Sequence, residues 1–453
     1  MTIKQSLFAD HSINGMDYLV ELLRSKDRVL VKKLSNNDRD WARFENKHQA
    51  GVYIPVEQRD GGFFPELSRK ARPDPKDADI FEAYFRTSWP QTGDMDKRTR
   101  LVHYTSKGTE THMTGVPKAA FATLLPASYL VIGKSVSGEE QVYSCLTVDS
   151  ASEEAELLRD TLELQPDFLI GEFNPIEKQE EEKEKLFDFA EQVILAWLAG
   201  NIETFAIANA LMPNTSTLAA LARAEYLKGS GQIDINPFRL DNPGDVLREI
   251  SRSIEWNLFR EFQRRERTVS LVRMIMGDSP KQITAKSVIR ELVERFPEID
   301  ALMLSASQQR KSRAGYSYEH HIEAMLTEGG IPFEKQVVIE AKKRPDFILP
   351  SLAYLKKPIN AEASGLILSA KTTLRERWKQ VERELTSGAL FLTTVDENIA
   401  GNSIEEMSSM NITLVVPEKL KHAKETEYKK HSNVMSFRQF CDEVIFSSLI
   451  HWP

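Results

Sequence analysis

The chain has 453 residues, of which 41% are hydrophobic, and this size and composition are typical of a globular protein with two or three domains, each burying its own core. Its net charge of −8 excludes a uniformly basic DNA-binding surface but not a local basic cluster, because salt screens charges beyond about 8–10 Å. Two distant cysteines, Cys145 and Cys441, exclude a disulfide framework and a zinc site, and the lack of a signal peptide or a membrane-spanning apolar run leads us to expect a cytoplasmic protein.

Residues 1–173 predict a mostly antiparallel β-domain. Short apolar or alternating runs are separated by proline and glycine clusters, as is typical of such sheets. The clearest runs are Val29–Val31, Gly51–Ile54, Tyr129–Ile132 and Gln141–Leu146. Towards the end of this region, Ser150 and Ser152 precede a helical pattern from Glu153 to Leu164, because serine favours the N-terminus of a helix.

Residues 174–186 are rich in glutamate and lysine and low in complexity, and we interpret them as a charged hinge between two domains. The second domain is expected to span residues 187–453. Its first part, residues 187–310, is expected to be helical. The helical segments are an apolar one over 187–199, another within 201–228 and a basic one with aromatic residues over 245–267.

Residues 311–453 predict an α/β core with a mixed central sheet. Short apolar runs bounded by turn residues are typical of buried strands. The expected strands are Lys335–Glu340, Asp346–Leu349, Leu366–Ala370, Ala389–Thr394 and Ile412–Val416. Helices are expected before the first strand, between the third and fourth strands, and at the end.

An acidic residue and a lysine stand at the ends of two of these strands. Asp346 follows Arg-Pro, Lys371 ends the strand Leu366–Ala370, and Glu384 lies on the predicted helix that follows. These spacings place two carboxylates and one ammonium group at one end of a sheet. Mg²⁺ prefers oxygen ligands, and a lysine can orient water or offset negative charge, so the set suggests a Mg²⁺-dependent phosphodiesterase with Asp346 and Glu384 as ligands. The alternative is an ordinary Pro-Asp turn.

Three charged residues, Arg375, Glu376 and Arg377, follow Lys371 at the predicted start of the helix. Arginine bidentate to guanine is the commonest specific contact in the major groove, and glutamate can accept from cytosine N4. One helix could therefore read bases with its first turn and place Glu384 at a metal with its third. The alternative is a solvated helix with salt bridges along its face.

The segments Arg344–Ser351 and Lys371–Trp378 resemble the core of type II restriction endonucleases of the EcoRII group, in the CCGG-reading branch of the PD-(D/E)XK nucleases. The general pattern has an acid two residues before the lysine, where this chain has Ser369. The branch moves that acid to the following helix, and Glu384 stands at the matching place. The resemblance implies a restriction-endonuclease-like α/β fold with its active site at these segments.

Two further segments are similar to the same group. A basic run at 310–315 precedes a helix with Glu319, and the resemblance implies that this glutamate is a fourth catalytic residue; the alternative is an ordinary helix glutamate. The stretch Arg252–Trp256 resembles the segment that flips the central base, with Arg252 and Trp256 as the candidates. Stacking on an aromatic ring contributes about 1–3 kcal/mol per base, whereas the alternative is that Trp256 packs in the core.

The segment His48–Pro55 resembles the opening of the group's effector DNA-binding domain, a pseudobarrel similar to the plant B-three fold. Two basic arms of that domain grip DNA. The corresponding residues here are Lys32, Lys33, Ser35, Asn36 and Asn37 in the first arm and Lys97 and Arg98 in the second. Asp94 and Asp96 reduce the positive charge of the second arm.

The resemblance implies a homodimeric restriction endonuclease of the bacterial cytoplasm. It implies Mg²⁺-dependent hydrolysis of duplex DNA at a short CC…GG-framed, CCWGG-like site, autoinhibition that a second DNA site relieves, and a partner DNA methyltransferase. Two alternatives stay open: a catalytically silent, sequence-specific DNA-binding regulator, and a structure-specific repair nuclease with the same core. The intact Asp346, Lys371 and Glu384 favour an enzyme, and Arg375–Arg377 favours sequence recognition.

Overall fold

The structure is a computed structural model that describes residues 15–45, 51–71, 78–137, 140–339, 344–357, 364–374, 378–379 and 389–452. The chain divides into two compact units, Met1–Glu181 with Lys424–Glu427 and Glu182–Ala423 with Tyr428–Pro453. Over the described ranges, no helix is both long enough and apolar enough to cross a membrane.

The first unit consists mainly of β-strands. Its strands are β1 (Arg28–Lys33), β2 (Val52–Ile54), β3 (Ser68–Arg69), β4 (Ile80–Trp89), β5 (Asp94–Tyr104), β6 (Thr111–Thr114), β7 (Tyr129–Ser137), β8 (Glu140–Val148) and β9 (Ile170–Phe173). Its helices are α1 (Gly15–Ser25), α2 (Asn36–Arg43), α3 (Val56–Asp60) and α4 (Glu153–Leu162). The side chains of Ser35 and Ser152 accept backbone amide hydrogens at the starts of α2 and α4, which fixes where these helices begin.

The strands of the first unit form one sheet in the order β2-β6-β5-β4-β8-β7-β1-β9, and β3 pairs with β4. The β4–β8 pair is parallel, and the other described pairs are antiparallel. Alternate residues face opposite sides of the sheet: on β7, Leu130 and Ile132 join one buried cluster, and Tyr129 and Val131 join the other. Side chains from α1 and α4 complete the second cluster. The predicted β-rich N-terminal domain is confirmed.

Helix α5 (Pro175–Leu198) contains the segment that we expected to be a hinge. Residues 174–186 therefore do not form an extended linker, because glutamate and lysine have high helix propensity and pair one turn apart. The boundary between the two compact units falls inside this helix, between Glu181 and Glu182. The domain limits at residues 173 and 187 stay a prediction.

The second unit begins with helices, as the sequence predicts. They are α6 (Ile202–Asn209), α7 (Thr215–Ser230), α8 (Pro243–Glu249), α9 (Glu255–Met276), α10 (Ala285–Glu294), α11 (Phe296–Glu328), α12 (Leu352–Leu355), α13 (Gly401–Ser409), α14 (Glu418–His422), α15 (Phe437–Gln439) and α16 (Phe446–Leu449). A π-helical turn over Ile250–Ile254 joins α8 to α9. The basic run at 310–315 does not precede its helix as expected, because α11 already begins at Phe296.

A mixed sheet forms the centre of the second unit. Its strands are β10 (Glu334–Lys335), β11 (Phe347–Leu349), β12 (Leu366–Ala370), β13 (Ala389–Thr393), β14 (Ile412–Val416) and β15 (Val434–Ser436), in that order across the sheet. The pairs β10–β11 and β11–β12 are antiparallel, and the pairs from β12 to β15 are parallel. The predicted α/β core with a mixed sheet is confirmed, although β10 ends at Lys335, earlier than predicted.

Both faces of this sheet are buried. Phe347 and Leu368 face a cluster that includes side chains of α7, α8 and α11, whereas Ile348 and Ile367 face a cluster with side chains of α12 and α13. This two-sided burial explains why these strands are continuous apolar runs in the sequence. It also brings the ends of β11, β12 and β13 to the side of α11.

Candidate active site

Asp346 directly precedes β11, and hydrogen bonds hold its carboxylate at the end of the neighbouring strand β12. Its Oδ2 accepts hydrogen bonds from the Ala370 backbone amide at 2.8 Å and from Lys371 Nζ at 2.6 Å. The antiparallel register that pairs Phe347 with Leu368 brings Asp346 to the end of β12. Asp346 is only 8% exposed, so its carboxylate depends on these donors in place of water.

Lys371 follows β12, the strand between β11 and β13. Its backbone amide donates to the Thr393 carbonyl at 3.0 Å, so the parallel ladder with β13 fixes the position of its Cα. The Lys371 side chain is 22% exposed where it pairs with Asp346. The pair is therefore partly buried and still accessible from solvent.

Helix α11 carries Glu319 to the same place. The preceding residue, Tyr318, is buried, and its hydroxyl hydrogen-bonds with the Thr393 hydroxyl at 2.8 Å. This contact fastens α11 beside β13. Glu319 is half-buried at this point of the helix, as its predicted catalytic position requires.

The Glu319 carboxyl titrates near neutral pH. Burial raises the pKa of Glu319 to about 7, and the negative charge of Asp346 adds to this shift. The ammonium groups of Lys371 and Lys335 and a hydrogen bond with Gln336 lower the pKa, but by less. The two carboxyl groups and Lys371 therefore form one electrostatically coupled site.

Gln336 joins this site, although the sequence analysis did not identify it. Its φ of 53° lies in the left-handed region, which few residues other than glycine adopt. In this conformation its backbone amide donates to the Asp346 carbonyl at 3.2 Å, and its side chain hydrogen-bonds the Glu319 carboxylate. A lone glutamine after a short strand carries no sequence signal that distinguishes it from a surface residue.

The side chains present suit a hard divalent cation. Asp346 and Glu319 offer carboxylate oxygens, and a bound cation would offset the repulsion that helps to raise the pKa of Glu319. Within the described ranges, no group of three or more His, Cys, Asp or Glu side chains is arranged to hold a metal ion. Glu384, the second predicted ligand, lies outside those ranges. Asp346 and Glu319 therefore fit part of a Mg²⁺ site.

The predicted base-reading segment Arg375–Arg377 also lies outside the described residues. The residues on either side of it are buried, with Leu374 at 0% and Trp378 at 2% exposure. Both belong to the same apolar cluster on one face of the sheet. The contact of Arg375–Arg377 with bases stays a prediction.

The two base-flipping candidates lie where α8 meets α9. Arg252 is in the π-helical turn, and Trp256 is in the first turn of α9. Such turns are frequent at functional sites. Trp256 is half-buried, and its ring stacks on Phe259 with 5.7 Å between the centroids. The ring thus has a neighbour in the core and some exposed surface, and the flipping role stays a prediction.

Glu255, between these two candidates, is buried and connects them to α11. Its carboxylate accepts from the Ser317 hydroxyl and lies 2.5 Å from His321 Nε2, and His321 Nδ1 lies 3.3 Å from Arg223 Nη1. Burial lowers the pKa of His321, and its hydrogen bond with Glu255 opposes that shift. The network joins α7, α9 and α11, so the predicted flipping segment and Glu319 depend on the same helices.

Lys32 and Lys33 of the predicted first DNA-gripping arm are buried, at 6% and 4% exposure. Lys32 Nζ pairs with Asp38 Oδ2 at 2.6 Å, and Lys33 Nζ donates to the Pro166 carbonyl at 3.0 Å. Both ammonium groups thus have partners within the first unit, and the DNA-gripping role of Lys32 and Lys33 stays a prediction. Strand β1 lies between β7 and β9, and its alternate side chains face opposite sides of the sheet.

The remaining residues of the first arm form the start of α2. Ser35 caps the helix through Asp38, and Asn36 Oδ1 accepts from Arg39 Nη2 at 2.6 Å. Asn37 is exposed. Ser35 and Asn36 therefore have internal partners, and a DNA contact by Asn37 stays a prediction.

The second predicted arm is part of β5 and not a loop. Lys97 is half-buried, with its Nζ 3.6 Å from Asp94 Oδ1. Arg98 is exposed, and its guanidinium lies 3.9 Å from the centre of the Tyr84 ring. Arg98 is therefore the residue of this strand that is best presented to a ligand, and its role in DNA binding stays a prediction.

The raised pKa of Glu319 predicts that the metal-free protein loses stability as pH rises. The folded state binds this proton more tightly than the unfolded chain, whose glutamate has a pKa of about 4.3. The proton on Glu319 therefore contributes to the stability of the folded state at acid pH, and this contribution is lost as pH rises to about 7. We expect Glu319→Gln to unfold at a higher temperature than the parent at pH 8, with a difference that shrinks towards pH 5, in thermal melts with chelator.

Glu323→Gln is the control on the same helix. The Lys335 ammonium lies 2.6 Å from Glu323 Oε2, and the pKa of Glu323 is lowered despite its burial, through that hydrogen bond. At pH values above the pKa of an unfolded glutamate, Glu323→Gln should therefore be less stable than the parent. This change has the opposite sign to the one expected for Glu319→Gln. If the unfolding temperatures of the parent and of Glu319→Gln depended on pH in the same way, Glu319 would not be the group with the raised pKa.

Comparison with known proteins supports a relationship over most of the chain. A model of the EcoRII C-terminal family matches residues 280–441. The type II restriction enzyme EcoRII of Escherichia coli is 25% identical over 426 residues, covering 89% of this chain and 91% of that protein. The type II restriction enzyme SsoII of Shigella sonnei is 28% identical over 210 residues, covering 44% of this chain and 67% of that protein. The solved structure of metal-depleted Ecl18kI in complex with uncleaved DNA has a TM-score of 0.43 at 23% identity, covering 58% of this chain and 84% of that chain. The resemblance inferred from the sequence is confirmed: residues 280–441 match the EcoRII C-terminal family, and most of the chain is similar to a type II restriction enzyme.

Proposed function

We propose that this chain is a site-specific deoxyribonuclease that hydrolyses duplex DNA within a short CC…GG-framed, CCWGG-like site. Its relatives named as type II restriction enzymes support this reaction class. The observation that carries the proposal is the Asp346 carboxylate hydrogen-bonded to the Lys371 ammonium at the ends of adjacent strands. We further propose that the enzyme acts in the bacterial cytoplasm, beside a DNA methyltransferase that protects the same site.

The catalytic roles follow from the chemistry of the side chains. Asp346, together with Glu384, would hold Mg²⁺. When bound, this ion supplies a Lewis acid that makes water more acidic and offsets phosphate charge. Lys371 orients the attacking water and offers positive charge to the phosphate. Glu319, which is coupled electrostatically to Asp346 and Lys371, would support the metal or its water.

The recognition roles use the residues around this centre. Arg375 and Arg377 would bond guanine edges, and Glu376 would accept from cytosine N4. Arg252 and Trp256 would hold the central base outside the duplex, where stacking on the indole offsets part of the cost of unpairing. The resemblance of Lys371–Trp378 to the core of the EcoRII group supports this assignment.

Purified protein with Mg²⁺ should cut a long mixed-sequence duplex at discrete positions, and sequencing of the fragment ends should give one CC…GG frame. Lys371→Met keeps the apolar stem and removes the ammonium, so it should lower the cleavage rate about 10²–10⁴-fold. Lys356→Met changes an exposed lysine of the same unit and should leave the rate unchanged.

Each alternative gives a different result in this experiment. A parent protein that binds DNA but does not cut, even with a short site-containing duplex added, would favour the silent regulator. Fragment ends that follow DNA structure and not sequence would favour the repair nuclease. Equal rates for Lys371→Met and the parent would reject the catalytic role of Lys371.

We propose that the enzyme is a homodimer, because a two-fold axis matches a palindromic site. Helix α10 and the start of α11 support this proposal. Ile289, Val293 and Phe296 are 62%, 56% and 57% exposed; Ile289 and Val293 lie one helical turn apart on α10, and Phe296 begins α11. An apolar face of this kind is typical of a surface that a second subunit covers.

Ile289→Glu should weaken the dimer about 10- to 100-fold, because it places an unpaired charge in a desolvated contact. Sedimentation equilibrium at a series of protein concentrations measures the dissociation constant. Ile233→Glu changes an isoleucine that is 83% exposed and should have no effect. A parent that stays monomeric at all concentrations would reject the dimer, and an unchanged constant for Ile289→Glu would reject this face.

We also propose that the first unit binds a second copy of the site and relieves autoinhibition. The match to EcoRII, which spans 89% of this chain, includes the first unit and supports this role. Activation of this kind requires that the second DNA site bind the active state more tightly than the inhibited one. Among the predicted contact residues, Asn37 and Arg98 are exposed to solvent.

DNA with two sites should therefore be cut faster than DNA with one site, by about 5–150-fold at equal site concentration. Arg98→Ala should reduce this ratio, whereas Lys107→Ala, which removes another exposed cation placed over an aromatic ring of the first unit, should not. Equal rates on one-site and two-site DNA, with no acceleration by added short duplex, would rule out the proposed activation.

A further inference from the structure

Glu255 is a buried carboxylate to which the roles above assign nothing. It is the first residue of α9 and is 5% exposed. Burying an ionised carboxylate is costly unless hydrogen bonds or an opposite charge compensate it. Glu255 directly precedes Trp256, the residue proposed to stack on the central base. The partners of Glu255 therefore determine what holds this end of α9 in place.

Both carboxylate oxygens of Glu255 contact α11. Oε1 accepts a hydrogen bond from the Ser317 hydroxyl, and Oε2 lies 2.5 Å from His321 Nε2. Ser317 and His321 are four residues apart, so they lie on the same side of α11. Both are buried, at 4% and 0% exposure. One carboxylate thus holds a full turn of the helix.

His321 makes these contacts in one protonation form. Its Nδ1 lies 3.3 Å from Arg223 Nη1 on α7, and a guanidinium nitrogen can only donate. Nδ1 therefore accepts, which leaves the hydrogen of the neutral ring on Nε2, directed at Glu255. Burial lowers the pKa of His321 and favours this neutral form. The hydrogen bonds are thus satisfied in one arrangement of donors and acceptors, which fixes α9 against α11.

The same turn of α11 carries Glu319. This residue lies between Ser317 and His321 in the sequence, two positions from each, so it faces another side of the helix. The intervening Tyr318 hydrogen-bonds through its hydroxyl with the Thr393 hydroxyl at 2.8 Å. A displacement of Ser317 and His321 would move the Glu319 carboxyl by a similar distance, because backbone hydrogen bonds make a helical turn stiff.

We propose that Glu255 is a positioning residue that fixes the start of α9, with Trp256, to the turn of α11 that carries Glu319. This inference rests on the proposed function. Glu255 itself contacts neither the DNA nor the metal in this role, and it acts through the two residues that it places. Base flipping and the geometry of the catalytic carboxyl then depend on one buried side chain and are impaired together.

Glu255→Leu tests this link, because leucine keeps most of the volume and removes both acceptor oxygens. Fluorescence of 2-aminopurine at the central position of a bound cognate duplex, in chelator, reports flipping. Single-turnover cleavage with Mg²⁺ gives the rate constant for that duplex and for one with a mismatched central pair, which costs less to unpair. We expect a weaker fluorescence increase and rate constants about 10- to 100-fold lower on both duplexes, because a small misplacement of a catalytic group is costly.

Glu255→Gln is the conservative variant. Its amide oxygen can accept from His321 and its amide hydrogens can bond the Ser317 oxygen, so both contacts persist without the charge. It should restore most of the fluorescence increase and of both rate constants. Glu261→Leu is the matched control, because it makes the same substitution at an exposed carboxylate of α9 that pairs with Arg265. It should equal the parent in every readout.

Ser317→Ala keeps the test decisive if circular dichroism shows that Glu255→Leu does not fold. It removes one of the two contacts with Glu255 and leaves the contact with His321. It should lower the fluorescence increase and both rate constants in the same direction, by smaller factors. Fluorescence per bound duplex and a single-turnover rate constant do not change when only the amount of folded protein falls, so a purely structural defect would leave them unchanged.

The outcomes separate this inference from the proposed function. A parent that neither cuts nor flips would reject the proposed function, and a parent that cuts without flipping would overturn the link to Trp256 alone. With an active parent, unchanged fluorescence or an unchanged rate constant on the mismatched duplex, in Glu255→Leu or in Ser317→Ala, would overturn the proposal. A Glu255→Gln variant as impaired as Glu255→Leu would overturn the role of the two hydrogen bonds.

Discussion

The ion pair between Asp346 and Lys371 depends on the register of β11 against β12. Antiparallel pairing of Phe347 with Leu368 brings the residue before one strand to the residue after the other. A slip by one position would turn alternate side chains to the opposite face and remove the carboxylate from the Ala370 amide. Burial on both faces of the sheet opposes such a slip, so the hydrophobic core and the charged site are determined by the same pairing.

Much of the second unit could be predicted from its apolar runs. Strands Leu366–Ala370 and Ile412–Val416 coincide with the expected ones, because both faces are buried and the sequence is continuously apolar. The helical structure of residues 175–186 was not predicted, since a charged, repetitive stretch is compatible with a solvated helix as well as with a linker, and the hinge stays a prediction. The burial of Lys32 could not be predicted, because its contacts with Asp38 and with the Tyr53 ring form only when the first unit is folded.

The candidate site also contains residues that the sequence identified and residues that it did not. Asp346 and Lys371 were identified because strand ends can be located from hydrophobic patterns, and the structure brings these two residues together. The pKa of Glu319 depends on burial and on Asp346, neither of which is local in the sequence. Gln336 was missed because a single polar residue beside a strand has no periodic signal, and only its hydrogen bonds identify it.

Helix α11 has a consequence for assembly. It runs without interruption from Phe296, beside the exposed apolar face, to Glu328, and it carries Glu319 on the way. At a rise of 1.5 Å per residue, Phe296 and Glu319 are about 35 Å apart on one rod. A tilt of the helix at Phe296 would therefore displace the Glu319 carboxyl directly. If the proposed subunit contact and the proposed catalytic role both hold, the stiffness of this single helix connects dimer formation to the geometry of the site.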